Sequence, residues 1–202
     1  MTDVDDPTEP EVFDAEPILA VLDRHGVEYV IVGGYAARVH GSTRPTRDVD
    51  VTPATTRENL DRLAAALREL DARIRTDAVP DGLPFSTSGE ALIGHRMLNL
   101  QTRYGELDLT IRPAGFEGGY DELVVRSIHR SIGQIQVRVA ALEDVIRSKE
   151  IAARDKDIGA LPELYRLANI DRQPPTFPGQ SPADRIADTQ AARRRPHHGR
   201  GR

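Results

Sequence analysis

The chain contains no cysteine. Disulfides, thiolate metal sites and cysteine nucleophiles are therefore excluded, and any chemistry must rest on oxygen and nitrogen groups. Tryptophan is absent and aromatics make up 4% of the 202 residues, so the core must be built mainly from Leu, Val, Ile and Ala. No run approaches the roughly 18 apolar residues of a membrane-spanning helix, and no membrane association is expected. The first residues lack a basic-then-apolar leader pattern, so a cytoplasmic location is expected.

Apolar residues at 39% and charged residues at 29% fit a globular chain. The net charge of −5 is unevenly spread. Residues 1–16 carry seven acids and no base, whereas residues 193–202 carry five arginines and no acid. A mildly acidic average therefore leaves room for a basic face that meets a polyanion.

The pattern divides the chain into a disordered acidic arm (1–15), a core (16–140), C-terminal helices that complete the active site (141–172) and a flexible basic tail (173–202). "PILAVLDRHG" (17–26) reads as a helix with Pro17 in its first turn and Gly26 at its C-terminal end. "VEYVIVGG" (27–34) reads as a buried strand running into two glycines, and "YAARVHG" as two helical turns. "DVDVTP" is the next strand, closed by Pro53. Leu60, Leu63, Leu67 and Leu70 repeat at helical spacing, with Thr55 or Thr56 as N-cap. Residues 76–90 read as a loop. Hairpins are predicted over 95–113, turning near Tyr104–Gly105, and over 124–140 around Gly133. Residues 141–170 read as helix in two pieces, divided between Asp155 and Gly159. The expected fold is α+β, a small mixed sheet with helices on one side, followed by a C-terminal helical part.

Three stretches carry chemistry. Gly33 and Gly34, between a strand and a helix, allow backbone to approach phosphate closely. Asp48 and Asp50, one residue apart on a strand, point to one face and suit two Mg²⁺ ions, which take hard oxygen ligands. A tight turn, with surface aspartates paired to Arg44 and Arg47, is the plainer explanation. In "GELDLTI", Asp108 shares a face with Glu106 and Thr110; it is either a third carboxylate or the solvent face of a hairpin. In "RSKEIAARDKD", Lys149 suits a triphosphate as a point charge, whereas a solvated helix end explains the same cluster of charges.

Together "VGGYAARVHGSTRPTRDVDVT", "ELDLTI" and "LEDVIRSKEIAARDKDIGAL" resemble the DNA polymerase β-like nucleotidyltransferase superfamily. More narrowly they resemble the AbiEii-type nucleotidyltransferase toxins of bacterial toxin–antitoxin pairs. The resemblance spans about residues 17–170. It departs from the common first motif in having Gly-Gly for Gly-Ser and a longer spacer before the aspartates. It implies a nucleotidyltransferase-like sheet and transfer of a nucleoside monophosphate from an NTP to an acceptor hydroxyl, with release of pyrophosphate. The acceptor it implies is the 3′ end of tRNA, which would block translation. Asp48, Asp50 and Asp108 would hold Mg²⁺, with two ions expected and Mn²⁺ an alternative. Gly33 and Gly34 would meet the phosphates, and Ser42, Thr43, Arg47, Lys149 and Arg154 would complete nucleotide binding. Asp48, Asp50, Asp108, Lys149 and Asp157 form the implied catalytic set.

Arg38, Arg44, Arg47, Arg73, Arg75, Arg96 and Arg103 are candidates for contact with RNA. A cognate antitoxin is the expected partner, acting by binding or by phosphorylating Ser42 or Thr43, where a phosphate would repel the triphosphate. The competing readings are AMPylation of a protein, transfer to a small molecule, and a non-catalytic antitoxin or regulator with this fold. The tail alone is a further candidate for salt-sensitive RNA binding, and its His197–His198 pair is a weak metal signal.

Overall fold

The computed structural model describes residues 13–170. Most of the acidic arm and the basic tail, with His197 and His198, lie outside the described residues. Among the described residues, seven helices and eight strands form: α1 Glu16–Arg24, β1 Tyr29–Val32, α2 Gly33–Val39, β2 Asp48–Pro53, α3 Arg57–Glu69, β3 Arg73–Thr76, β4 Val79–Leu83, α4 Gly89–Leu92, β5 Met97–Thr102, β6 Gly105–Thr110, α5 Tyr120–Val124, β7 Ile128–Ile132, β8 Ile135–Val139, α6 Leu142–Ala152 and α7 Asp155–Leu167.

All eight strands join one sheet in the order β4-β3-β5-β6-β2-β1-β8-β7. Strand β2 pairs antiparallel with β1 and parallel with β6, and β1 pairs parallel with β8. The sheet is mixed and helix-flanked, as the fold class requires.

Strand alternation divides the sheet into two faces. One carries Ile31, Val49, Val51, Leu98, Leu100, Leu107, Leu109 and Val139, all buried. Helix α1, through Ile18, Leu19 and Leu22, packs on β8 and on α3, whose Leu60, Leu63 and Leu67 are buried. Each such leucine contributes about 2 kcal/mol when fully buried. The other face meets α2, which packs on β1 and β2, and α5, which packs on β1; α6 lies against α2 and α7 against α6. Helices thus cover both faces, not one. The physical reason lies in β1: all four of its residues are buried, and consecutive strand residues point in opposite directions.

Helix α3 starts as its sequence predicts. Thr56 Oγ1 accepts a hydrogen bond from the Asn59 amide at 3.3 Å, a cap worth about 1 kcal/mol. The fully buried Asn59 amide group donates to Glu28 and Ala54 carbonyls and accepts from the Glu28 N–H. It fastens the start of α3 to the ends of β1 and β2, with its polar atoms satisfied.

Two further expectations are corrected. Residues 76–90 are not a plain loop: they hold β4, hairpin partner of β3, and the start of α4. Pro80 is tolerated because β4 is an edge strand, where a missing N–H breaks no ladder. The helical break falls at Ala153–Arg154, before Asp155. Ala153 adopts a left-handed conformation, φ 49°, which ends α6 and lets α7 begin.

Candidate active site

On the face opposite the α1–α3 layer, β2 presents Asp48, Asp50 and Thr52, with Val49 and Val51 on the reverse. Asp48 pairs in register with Glu106 across the parallel β2–β6 ladder, and Asp50 with Asp108. Asn99 of β5 pairs with Asp108 on its other side. The predicted carboxylates therefore come from two neighbouring strands and share one face.

Their surroundings differ. Asp48 accepts a hydrogen bond from Thr46 Oγ1 at 2.7 Å. Asp108 receives both oxygens' contacts from the Arg75 Nη2 atom, at 3.0 and 3.3 Å, while the other Arg75 terminal nitrogen pairs with Glu106. Burial raises the Asp108 carboxyl and the Arg75 charge opposes the rise; Asp108 stays above its usual value. Asp50 accepts a bond from the Gly34 N–H. Burial chiefly, then the negative charges of Asp48 and Asp108, push Asp50 up to about 7.

The glycine pair packs directly on these aspartates. Gly33 stands at φ +66°, and a Cβ there would run into the Asp50 carboxylate. A Cβ on Gly34 would press on Thr46 Oγ1. Both glycines form the first turn of α2 itself, with no separate loop before it, so backbone N–H groups at a helix start face the carboxylate strand.

The opposite wall comes from α6 and α7. Asp157, with 1% of its side chain exposed, accepts from Lys149 Nζ at 3.2 Å and from Arg154 Nε at 2.6 Å. Burial raises the Asp157 carboxyl, but the Arg154 hydrogen bond and the Lys149 charge outweigh it, and the group is held below its usual value. Asp157 also lies in the first turn of α7, where the helix dipole favours negative charge.

Between these walls lies a cavity of about 660 Å³. It is lined by Gly33, Gly34, Ser42, Arg47, Asp48, Asp50, Asp108, Lys149, Arg154 and Asp157. Of the predicted site residues, Thr43 alone is not in the lining: it is exposed, and its hydroxyl and amide turn away to Glu163 of α7. Sequence reasoning left Thr46, Asn99, Arg112 and Lys156, which also line the cavity, out of the predicted site. It named Arg75 only as an RNA candidate, and Arg44 as an RNA candidate or a surface partner of the aspartates, although both are cavity residues. Thr46 and Arg44 sit inside the quoted spacer, so a signal was there. Arg75 sits on a four-residue strand with no pattern of its own. Of the seven arginines suggested for RNA, Arg44, Arg47 and Arg75 reach the cavity wall, whereas Arg96 pairs with Glu117 and Arg38 lies over the Tyr35 ring.

The donor set suits a divalent cation. Asp48, Asp50 and Asp108 offer hard oxygens on one face, and Asp50, raised by burial first and by the two neighbouring acids next, is a group whose charged form a cation would favour. Among the described residues no three carboxylates or imidazoles are already drawn into one cage. Each carboxylate is turned to its own partner: Thr46, the Gly34 amide or Arg75. Lys149, Arg154 and Lys156 across the cavity can meet phosphate charge.

Solved structures with a similar course of the chain are distant. The antibiotic-resistance factor ANT(2″)-Ia is 19% identical at TM-score 0.49, over 89% of this chain and 88% of that one. The lincosamide antibiotic adenylyltransferase LnuA is 14% identical at TM-score 0.47, over 75% and 94%. An antigenic nucleotidyltransferase-like protein from Paracoccidioides brasiliensis is 18% identical at TM-score 0.49, over 94% and 91%. No curated protein matches the chain. The family described as nucleotidyl transferase AbiEii toxin, type IV toxin–antitoxin system, matches residues 18–159, from α1 through the glycine turn and the aspartate strands to the Lys149–Asp157 cluster. The resemblance noted in the motifs thus holds across most of the chain, which belongs to the AbiEii nucleotidyltransferase toxin family and is a nucleotidyltransferase.

Proposed function

We propose that the chain moves a nucleoside monophosphate from an NTP to a hydroxyl at an RNA 3′ end, that of tRNA, and so blocks translation. One observation carries this reading: Asp48, Asp50 and Asp108 share a sheet face in a cavity whose far wall bears Lys149 and Arg154. Asp48, Asp50 and Asp108 would hold Mg²⁺, and Mn²⁺ would serve as a substitute. Bound there, the ion would lower the pKa of an attacking hydroxyl and neutralise the leaving pyrophosphate.

The chain's own groups do the rest. The N–H groups at the start of α2 orient phosphate oxygens, and Gly33 keeps the space beside Asp50 open. Lys149 and Arg154, both held by Asp157, present fixed positive charge to the triphosphate, which cuts the reorganisation needed as charge moves. The C-terminal helices therefore complete the site, and the core with those helices forms one working unit. Arg44, Arg47 and Arg112 are exposed on the cavity wall, and this supports a polyanionic acceptor over a neutral one.

A family toxin calls for restraint, and a cognate antitoxin protein is the proposed partner. If it acts as a kinase, Thr43 is the accessible target. Ser42 is buried, and its hydroxyl donates to Glu163. No described helix is long and apolar enough to cross a membrane.

Incubation with labelled NTPs, Mg²⁺ and either total tRNA or cell protein tests the acceptor. Label should enter tRNA and be lost with Asp48→Ala. Label confined to the protein fraction would replace this reading with AMPylation. Label in neither, with label on added small-molecule alcohols, would replace it with small-molecule transfer.

A further inference from the structure

Glu163 of α7 makes three hydrogen bonds to the connection between α2 and β2. Its Oε2 accepts from Ser42 Oγ at 2.9 Å, and its Oε1 accepts from the Thr43 N–H at 2.7 Å and Thr43 Oγ1 at 2.9 Å. The carboxyl is held below its usual value, first by the Thr43 amide. One turn earlier on the same helix, the Gly159 carbonyl accepts from Arg44 Nη1 at 3.1 Å. At the head of that helix sits Asp157, which holds Lys149 and Arg154. One helix therefore fixes both sides of the cavity: its first turn sets the Lys149–Arg154 wall, and its middle sets the wall made by residues 42–47. Nothing about Glu163 in the sequence signals this, since its partners are 120 and 121 residues away.

We infer that Glu163 is a positioning residue for the triphosphate: it clasps the 42–47 wall to α7 and so fixes the gap between Arg44–Arg47 and Lys149–Arg154. Glu163 itself is not in the cavity lining; it acts through Ser42, which lines the cavity, and through Thr43 beside it. Charge-assisted bonds to a carboxylate are stronger than neutral ones, and one of these is to a backbone N–H, so the clasp constrains main chain as well as side chains. With the clasp undone, the wall gains freedom that nucleotide binding must then remove. The loss falls on nucleotide affinity, because the carboxylates and Lys149 keep their places. The inference rests on the NTP-site reading above.

The test combines two measurements on the full chain. Calorimetric titration with a non-hydrolysable NTP and Mg²⁺ compares wild type, Glu163→Ala, Glu163→Gln, Thr43→Val and the Glu163→Ala/Thr43→Val pair. Amide hydrogen exchange at Thr43 is followed without nucleotide. Glu163→Ala should weaken nucleotide binding about tenfold and speed Thr43 exchange, with kcat kept within about twofold and KM for NTP raised in step. Glu163→Gln, which keeps volume and one acceptor, should fall between, and guards against a folding defect in the alanine variant. The pair should lose no more than Glu163→Ala alone, since both changes open one clasp. Unchanged nucleotide affinity in Glu163→Ala, or additive losses in the pair, overturns the positioning role while the NTP site stands. Faster Thr43 exchange with no NTP binding even in wild type overturns the NTP-site reading, and the positioning role with it, although the clasp itself would be real.

Discussion

Asp50 and Asp108 are direct partners across the parallel β2–β6 ladder, both on the cavity face. Two carboxylates so placed cannot both ionise cheaply, and Asp48 two residues along adds a third. Asp50 is pushed up to about 7 from the usual 3.8, by burial first and by its two neighbours next.

That shift sets a pH dependence of stability. A carboxyl with a raised folded pKa holds its proton more tightly in the native state, so its contribution is complete below about pH 4 and is lost as pH rises through about 7. In EDTA, the unfolding free energy should fall by on the order of 2 kcal/mol between those limits, after allowing for solvent at the cavity floor. Asp50→Asn should flatten the profile, and saturating Mg²⁺ should flatten it in wild type. Denaturant titrations across this range decide; a wild-type slope unaltered by Asp50→Asn would refute the account. The same variant should lose transfer by on the order of 10³-fold.

Arg75 links Asp108 and Glu106, so it competes with any cation for the third carboxylate. Arg75→Met keeps an aliphatic stem but leaves both acids without their counter-charge. Divalent-cation affinity at pH 8 should rise on the order of tenfold. Free Mn²⁺ measured by electron paramagnetic resonance reads this without turnover, and equal or weaker binding by the variant would exclude the competition.

The parts of this arrangement written locally were legible in the sequence. Alternation put Asp48 and Asp50 on one face, Leu60, Leu63 and Leu67 marked α3, and the two glycines marked the strand-to-helix junction. What was hidden depends on distant partners or on weak local pattern. Strand β4, interrupted by Pro80 and Gly82, reads as loop and is held as a strand only by pairing with β3. Arg75 acquires meaning only when β3 is placed beside β5 and β6. The break before α7 depends on Ala153 taking a left-handed conformation, for which alanine has no local preference. Thr43 lay in the right stretch but faces Glu163, because a carboxylate far along the chain competes for it.

Gly33 and Gly34 should differ sharply when each is changed to alanine. Gly33 has a positive φ and lies against the Asp50 carboxylate, whereas Gly34 has ordinary backbone and approaches only Thr46 Oγ1 and Cβ. Gly33→Ala should cost about 1–2 kcal/mol from backbone strain alone and displace Asp50. Gly34→Ala needs only a rotation of Thr46 and should cost less. Thermal unfolding gives the order of stability, and Mn²⁺ titration reports whether Asp50 has moved. Equal losses in both variants would mean that Gly33 holds no special place beside the carboxylate.

Asp157 carries the last prediction, with the opposite pH sign to Asp50. Its carboxyl is held low because Arg154 and Lys149 outweigh the burial that raises it, so its stabilisation is present above about pH 4 and is lost as pH falls through the lowered value. Asp157→Asn removes the charge and keeps the shape. It leaves Lys149 and Arg154 facing an amide that accepts only at one oxygen. At pH 7 the variant should unfold about 1–3 kcal/mol more easily than wild type. At pH 3 the difference should shrink, since the unfolded wild-type chain has by then taken up the proton that the folded Asp157 resists. Because Lys149 loses its guide, KM for NTP should rise at pH 7 even where the variant is fully folded. A stability gap that stays constant from pH 7 to pH 3 would show that Asp157 contributes by shape alone and that its charge does not hold the basic wall.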